Sequence, residues 1–349
     1  MIVKNKKIGI IGHFGGKKNF LDGQTVKTKV LYDELKKATS WEIIKVDTYY
    51  KKSNPIKLIY DTFFCLISVK DVIVLLSGNG MKFYFPLLYF FSIFFHIKVY
   101  HNVIGGNLDK YVLNNLKFKK YLNSFKVNWV ETEGLKEKLL KQEIKNCKVI
   151  PNFKKLEIVN EIKLELNEPY KFCTFSRIMK EKGIEDSINA IKNINLKNKR
   201  KVCILHIYGS IDKKYEDRFK KLLKEFPEYI EYKGIIPYEK SSIVLRKYFA
   251  LLFPTYWEGE GFPGTIIDAF FAGIPIIASD WNCNKEIIKN EINGIIYPNK
   301  EIRNLEEAIL WLINNKNKML KFKKNCIEAA KNYQPDKYIK DIINCIEKS

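Results

Sequence analysis

Short apolar runs alternate with amphipathic helical segments along almost the whole chain, and no other feature limits its fold as tightly. Strand-like runs at 7–11, 41–47, 71–76, 97–100, 127–131 and 148–150 are separated by helical stretches such as 23–36. Parallel neighbours need a crossover rather than a tight turn, so strands spaced by helices imply a parallel sheet. Pro151-Asn152 breaks the pattern, and the polar stretch 154–169 reads as a connection. The pattern then restarts, with strands at 170–175, 202–208, 230–233, 250–253 and 274–279 and helices at 183–194 and 213–226. The expected fold is α/β, with two Rossmann-like, doubly wound domains at 1–153 and 170–332 facing a cleft. The end of the chain, 333–349, is expected to be an amphipathic helix packing back toward the first domain through Tyr338, Ile339, Ile342, Ile343 and Ile346. A length of 349 residues suits two such domains.

Ligands of doubly wound sheets bind beyond the carboxyl ends of the strands, so the loops after strands carry the candidates. The strand 250–253 runs into PTYWEGEGFPGTIIDAFFAG. Here Glu260 stands in a turn built from Gly259, Gly261, Pro263 and Gly264, and Asp268 follows in an apolar helix, 265–272, expected to end in a left-handed cap at Gly273. The start of such a helix favours phosphate through its free N–H groups and dipole. Asp268, one turn in, could accept paired hydrogen bonds from a ribose diol, while Glu260 precedes the helix and lies nearer any sugar. The same strand, glycine turn and helix is also an ordinary α/β connection. After the strand 170–175, Arg177 stands at the strand end and Lys182 just before a helix. A rigid donor fork beside a point charge suits a diphosphate.

Bulk composition narrows the partners. A net charge of +22 invites a nucleic-acid reading, yet the cations are almost all lysine, with arginine only at 177, 200, 218, 246 and 303. A solvated lysine surface accounts for most of them. Seven cysteines without a C-x-x-C spacing read as reduced thiols, mostly small core residues, in a cytoplasmic protein. The most apolar stretch, 83–95, is shorter than the roughly 20 residues that span a bilayer. Flanked by Lys82 and Lys98, it fits either a core helix or one lying in a membrane interface, placing the protein in the cytoplasm or at the inner face of the membrane. No Asp-x-Asp and no His/Cys cluster has metal-ligand spacing, so no metal and no cofactor is expected.

With these residues in view, the chain resembles glycosyltransferase family 4, the retaining enzymes of the GT-B fold, over nearly its whole length and most clearly in its second half. The family pattern of Arg, then Lys-Gly, then Glu, seven residues and Glu matches Arg177, Lys182-Gly183, Glu260 and position 268. The resemblance implies that Arg177 and Lys182 hold the donor diphosphate, that Glu260 sits by the donor sugar, and that Asp268 binds the ribose hydroxyls. Asp268 is one methylene shorter than the family's Glu. Pro263 replaces the family's Gly, which moves the anion-facing amides to Gly264 and Thr265. His101, before Asn102 and Gly105-Gly106, resembles the His that faces the donor sugar in many members. The N-terminal glycine-rich loop, with Gly15, Gly16, Gly23 and Gln24, resembles the loop that approaches donor phosphate and acceptor. Phe262, Gly209 and Gly234 complete the donor-side candidates, and His13, Gln24, Gly105 and Gly106 the acceptor side.

The implied activity is retaining, metal-independent transfer of a hexose from a nucleotide diphosphate to a hydroxyl of a glycan or lipid-linked acceptor, in surface polysaccharide or glycoconjugate biosynthesis. Two other classes stay open at this level. One is a sugar-nucleotide epimerase of the same architecture, which needs no acceptor. The other is a basic module binding anions or nucleic acid, motivated by the charge alone.

Overall fold

The computed structural model describes residues 6–17, 22–159, 161–298 and 301–349. The chain divides into two compact units. The first comprises Met1–Lys154, Gly259–Phe262 and Gln334–Ser349, and the second Lys155–Glu258 and Pro263–Tyr333.

The first unit is built on strands β1 (Lys7–Gly12), β2 (Glu42–Asp47), β3 (Asp71–Leu75), β4 (Lys98–Asn102), β5 (Val127–Val130) and β6 (Cys147–Val149). They form one parallel sheet in the order β2-β1-β3-β4-β5-β6. Every residue of β3 and β5 is buried, as expected of strands covered by helices on both faces. Asp22 caps helix Gly23–Ala38, accepting from the Thr25 amide, and Asn54 with Pro55 opens helix Pro55–Ser68. The final helix, Pro335–Glu347, packs on helix Gly23–Ala38 and buries Tyr338, Ile339, Ile342 and Ile346, with Tyr338 stacked on Phe153. Lys6 donates to the carbonyl of Ile346 in the helix's last turn, and Lys98 to that of Ser349 just beyond it. The expected return of the C-terminal helix to the first domain is observed.

The second unit holds β7 (Tyr170–Phe175), β8 (Cys203–Tyr208), β9 (Ile230–Gly234), β10 (Ala250–Phe253), β11 (Ile276–Ser279) and β12 (Gly294–Tyr297). Their parallel order is β12-β11-β10-β7-β8-β9, a doubly wound sheet whose winding reverses between β7 and β10. Strand β12 has no counterpart in the sequence reading; Gly-Ile-Ile-Tyr is too short to stand out beside the apolar run before it. The helix that follows β10 is Gly264–Phe271, and Gly273 takes the expected left-handed conformation, φ 63°. The first part of the expected connection 154–169 is packed. From Lys155 it belongs to the second unit, Leu156 is buried, and the Val159 amide donates to the Phe271 carbonyl.

All seven cysteines are free thiols, five of them buried. No described helix is long and apolar enough to cross a membrane.

His101 lies inside the first core rather than at the open strand end that the sequence suggested. It is fully buried on β4, its ring edge-on to Phe85 at 5.0 Å, and its Nδ1 is 3.0 Å from Asn128 Oδ1. β4 runs on to Asn102, so His101 falls within the sheet rather than after it. Burial, with the nearby Lys27 charge, lowers its pKa from 6.5 to about 4. The unfolded chain therefore binds more protons between these values, and stability falls as pH drops from 6.5 toward 4, by roughly 3 kcal/mol for the full shift. Denaturant titrations of wild type and His101→Phe at pH 7, 5.5 and 4.5 test this. The variant loses less stability across the series; parallel losses would contradict a neutral buried His101.

Candidate functional site

In the second unit the loops after β7 and β10 meet at the reversal of the winding. The short turn Lys180–Lys182 follows β7, and the Glu181 carbonyl accepts from the Tyr256 amide at 2.8 Å and from Thr255 Oγ1 at 3.3 Å. This holds the turn on the chain leaving β10. Gly183, φ 67°, completes it: a Cβ there would sit 2.2 Å from the Pro254 carbonyl oxygen, so only glycine allows the approach. Lys182 is thereby set over two rings, its Nζ 4.9 Å from the centroid of Trp257 and 5.5 Å from that of Phe253, and only 8% of the residue is exposed. Arg177 is half-exposed, with Nη1 3.7 Å from Asp212 Oδ2. Two cations thus stand at the carboxyl end of the central strand, as the sequence indicated.

Gly264 and Thr265 open helix Gly264–Phe271, and the Thr265 hydroxyl donates to the Phe175 carbonyl at 2.5 Å, tying the helix start to the end of β7. Asp268 is buried, with Oδ1 2.8 Å from Ser241 Oγ, where the helix packs on Ser241–Leu245. Gly209, after β8, lets the loops approach: a Cβ would fall 1.8 Å from the Ser176 carbonyl oxygen. Its amide donates to the carbonyl of Gly234, at the end of β9. These glycines shape the strand ends by backbone contact. Among the described residues no three His, Cys, Asp or Glu side chains gather as a metal site requires.

The first unit contains a buried ion pair absent from the sequence reading. Lys27, on helix Gly23–Ala38, places Nζ 2.7 Å from Glu131 Oε1 and 3.0 Å from the Val103 carbonyl oxygen, with both side chains more than nine-tenths buried. Glu131 Oε2 accepts from the Phe262 amide at 3.0 Å, and Asn152 Nδ2 donates to the Phe262 carbonyl at 3.3 Å. The pair therefore seats the segment Gly259–Phe262, and with it Glu260, which is 6% exposed. Gly105 and Gly106 serve the same seat, since a Cβ on Gly106 would lie 2.1 Å from the Glu260 carbonyl oxygen. A signal for Lys27 was present: it occupies the position one turn before Leu31 and two before Leu35, both fully buried, on the core face of its helix.

The N-terminal loop departs from the expectation of a phosphate cradle. The Gly16 amide donates to Asp47 Oδ2 and the Phe14 amide to Asp47 Oδ1, each at 2.8 Å, so a carboxylate of this chain takes the Gly16 amide expected to meet the donor. Gln24 Nε2 donates to the Leu75 carbonyl at 3.1 Å, holding the end of β3. His13 Nδ1 is 2.7 Å from Thr25 Oγ1, beside Gly23 at the helix start. The middle of this loop, 18–21, lies outside the described residues.

Residues 157–333, about half of the chain, match the family Glycosyl transferases group 1. An uncharacterized glycosyltransferase of Methanocaldococcus jannaschii is 27% identical over 186 residues, which span 51% of this chain and 45% of that relative. The chain thus matches somewhat less than half the length of this relative. Among solved structures, sucrose-phosphate synthase from Thermosynechococcus elongatus superposes with a TM-score of 0.78 at 14% identity, covering 99% of each chain. Anabaena HepE in complex with UDP superposes with a TM-score of 0.72 at 13% identity, covering 99% of this chain and 100% of its own. At such identities these likenesses establish the fold, the GT-B arrangement of two doubly wound units.

Removing one member of a buried pair leaves the other charge uncompensated, at a cost of about 3 to 5 kcal/mol. Lys27→Met and Glu131→Gln should each lose stability on that scale in chemical denaturation, and the double variant should lose less than the sum. Strictly additive losses would show that the two charges are not coupled.

Proposed function

The chain belongs to the family Glycosyl transferases group 1, and from that premise we propose that it transfers a sugar from a nucleotide diphosphate to a hydroxyl of a glycan or lipid-linked acceptor, with retention at the anomeric carbon. The observation that carries this reading is the pair of cations at the reversal of the second sheet, Arg177 at a strand end and Lys182 fixed over Trp257 and Phe253. A cation set against aromatic faces is stabilised by about 1 to 2 kcal/mol when desolvated. Arg177 and Lys182 bind the diphosphate, the start of helix Gly264–Phe271 adds its dipole, and Asp268, oriented by Ser241, accepts from the ribose hydroxyls.

In the step itself the bond from the anomeric carbon to the phosphate oxygen breaks and a bond from that carbon to the acceptor oxygen forms on the same face. The acceptor's proton passes to the departing phosphate oxygen, and the nucleoside diphosphate leaves. Glu260, held by the Glu131 seat, stands by the transferred sugar. The charge that develops on the leaving group is met by fixed cations already in position, which is where most electrostatic catalysis originates. HepE was solved with UDP, which supports a nucleotide diphosphate as the donor's carrier. We place the reaction on the cytoplasmic side, in the assembly of surface polysaccharide or another glycoconjugate.

Each charge-assisted bond to the diphosphate is worth about 1.5 to 3 kcal/mol. Arg177→Ala and Lys182→Ala should therefore each lower kcat/KM by roughly 10- to 150-fold, measured as nucleoside diphosphate release with acceptor present. Activity of Arg177→Ala within twofold of wild type would sink the assignment. A new sugar nucleotide formed from donor alone would point instead to an epimerase.

A further inference from the structure

Helix Pro55–Ser68 is apolar on both sides. Its inner face buries Leu58, Thr62, Cys65 and Leu66, whereas Ile56, Ile59, Tyr60, Phe63, Phe64 and Ile67 point outward at helical spacing. The exposure is large: 81% for Ile56, 68% for Tyr60 and 69% for Ile67. Helix Gly78–Phe94 does the same, burying Met81, Tyr84, Phe85 and Leu88 and exposing Phe83, Phe90, Ile93 and Phe94. The two helices lie side by side, since Phe63 meets Phe91 edge-on at 5.9 Å and Thr62 Oγ1 is 3.0 Å from Tyr84 OH. Their outward stripes thus join into one apolar surface. A soluble surface helix ordinarily turns its polar face outward, and contiguous exposed patches of this kind mark docking sites.

The charges around the patch select the occupant. Lys51, Lys52 and Lys57 surround the start of the first helix, Lys70 follows its end and Lys82 flanks Phe83, all of them exposed. The only acid on either helix is Asp61, which is paired with Lys57. We propose that this two-helix face docks on an anionic lipid bilayer, with the aromatic and aliphatic stripe at the headgroup boundary and the lysine rim on the headgroups. A second copy of the chain fits less well, because face-to-face stacking would press two lysine rims together. The proposal is independent of the transfer reading: it concerns where the protein sits, and it stands or falls without any donor being turned over.

The test is co-sedimentation of the full chain with phosphatidylcholine vesicles and with vesicles containing phosphatidylglycerol, for wild type, Tyr60→Glu/Ile67→Glu and Phe83→Glu/Phe94→Glu. All four positions are solvent-facing, and circular dichroism checks that each variant keeps its fold. Expected are salt-sensitive binding to the anionic vesicles, weaker binding to the neutral ones, and a loss of at least tenfold in partitioning for both variants. Three outcomes would overturn the proposal: no vesicle binding, variants within twofold of wild type, or equal binding to neutral vesicles. Dimers in analytical ultracentrifugation that both variants dissolve, without vesicle binding, would assign the face to a second copy.

Discussion

The buried pair of Lys27 and Glu131 organises the first unit. Two charges taken out of water lose hydration worth several kcal/mol each, and their attraction repays this only when the remaining hydrogen-bonding capacity is used. Here it is used for chain contacts: Lys27 also donates to the Val103 carbonyl and Glu131 accepts from the Phe262 amide. One pair thereby fixes a helix, the loop after β4, the end of β5 and the segment Gly259–Phe262. Glu260 owes its position to that seat, and the chain continues from it directly into the helix that carries Asp268. Such a pair specifies a geometry more than it stabilises a fold, because well-packed apolar side chains would hold the same volume as firmly.

The second unit places its cations largely through the backbone, with the Glu181 carbonyl binding the chain after β10 and Gly183 permitting the approach to Pro254. Lys182 then lies against the rings of Trp257 and Phe253. Most of the lysines that give the chain its net charge of +22 have no such placement and lie at the surface.

Much of this was legible in the sequence. Parallel strands covered on both faces must be continuous apolar runs, so β3, β5, β7 and β10 stood out, and Arg177, Lys182 and the 259–268 segment followed from their places after strands. What was illegible has physical causes. Lys27 is one lysine among many, and only its place on the core face of a helix distinguishes it. His101 was expected just beyond its strand, but β4 runs on to Asn102 and buries the residue within the sheet. The Gly16 amide looked available until Asp47, distant in sequence, was found bonded to it. Long-range partners of this kind leave no trace in local pattern.

The central claim is that the second unit carries a nucleoside diphosphate site, and calorimetric titration with uridine, guanosine and adenosine diphosphates tests it most directly. The account predicts saturable one-to-one binding of at least one of the three. Failure of all three to bind, together with tight, salt-steep binding of the same protein to single-stranded or duplex DNA, would contradict it and return the charge to a nucleic-acid role.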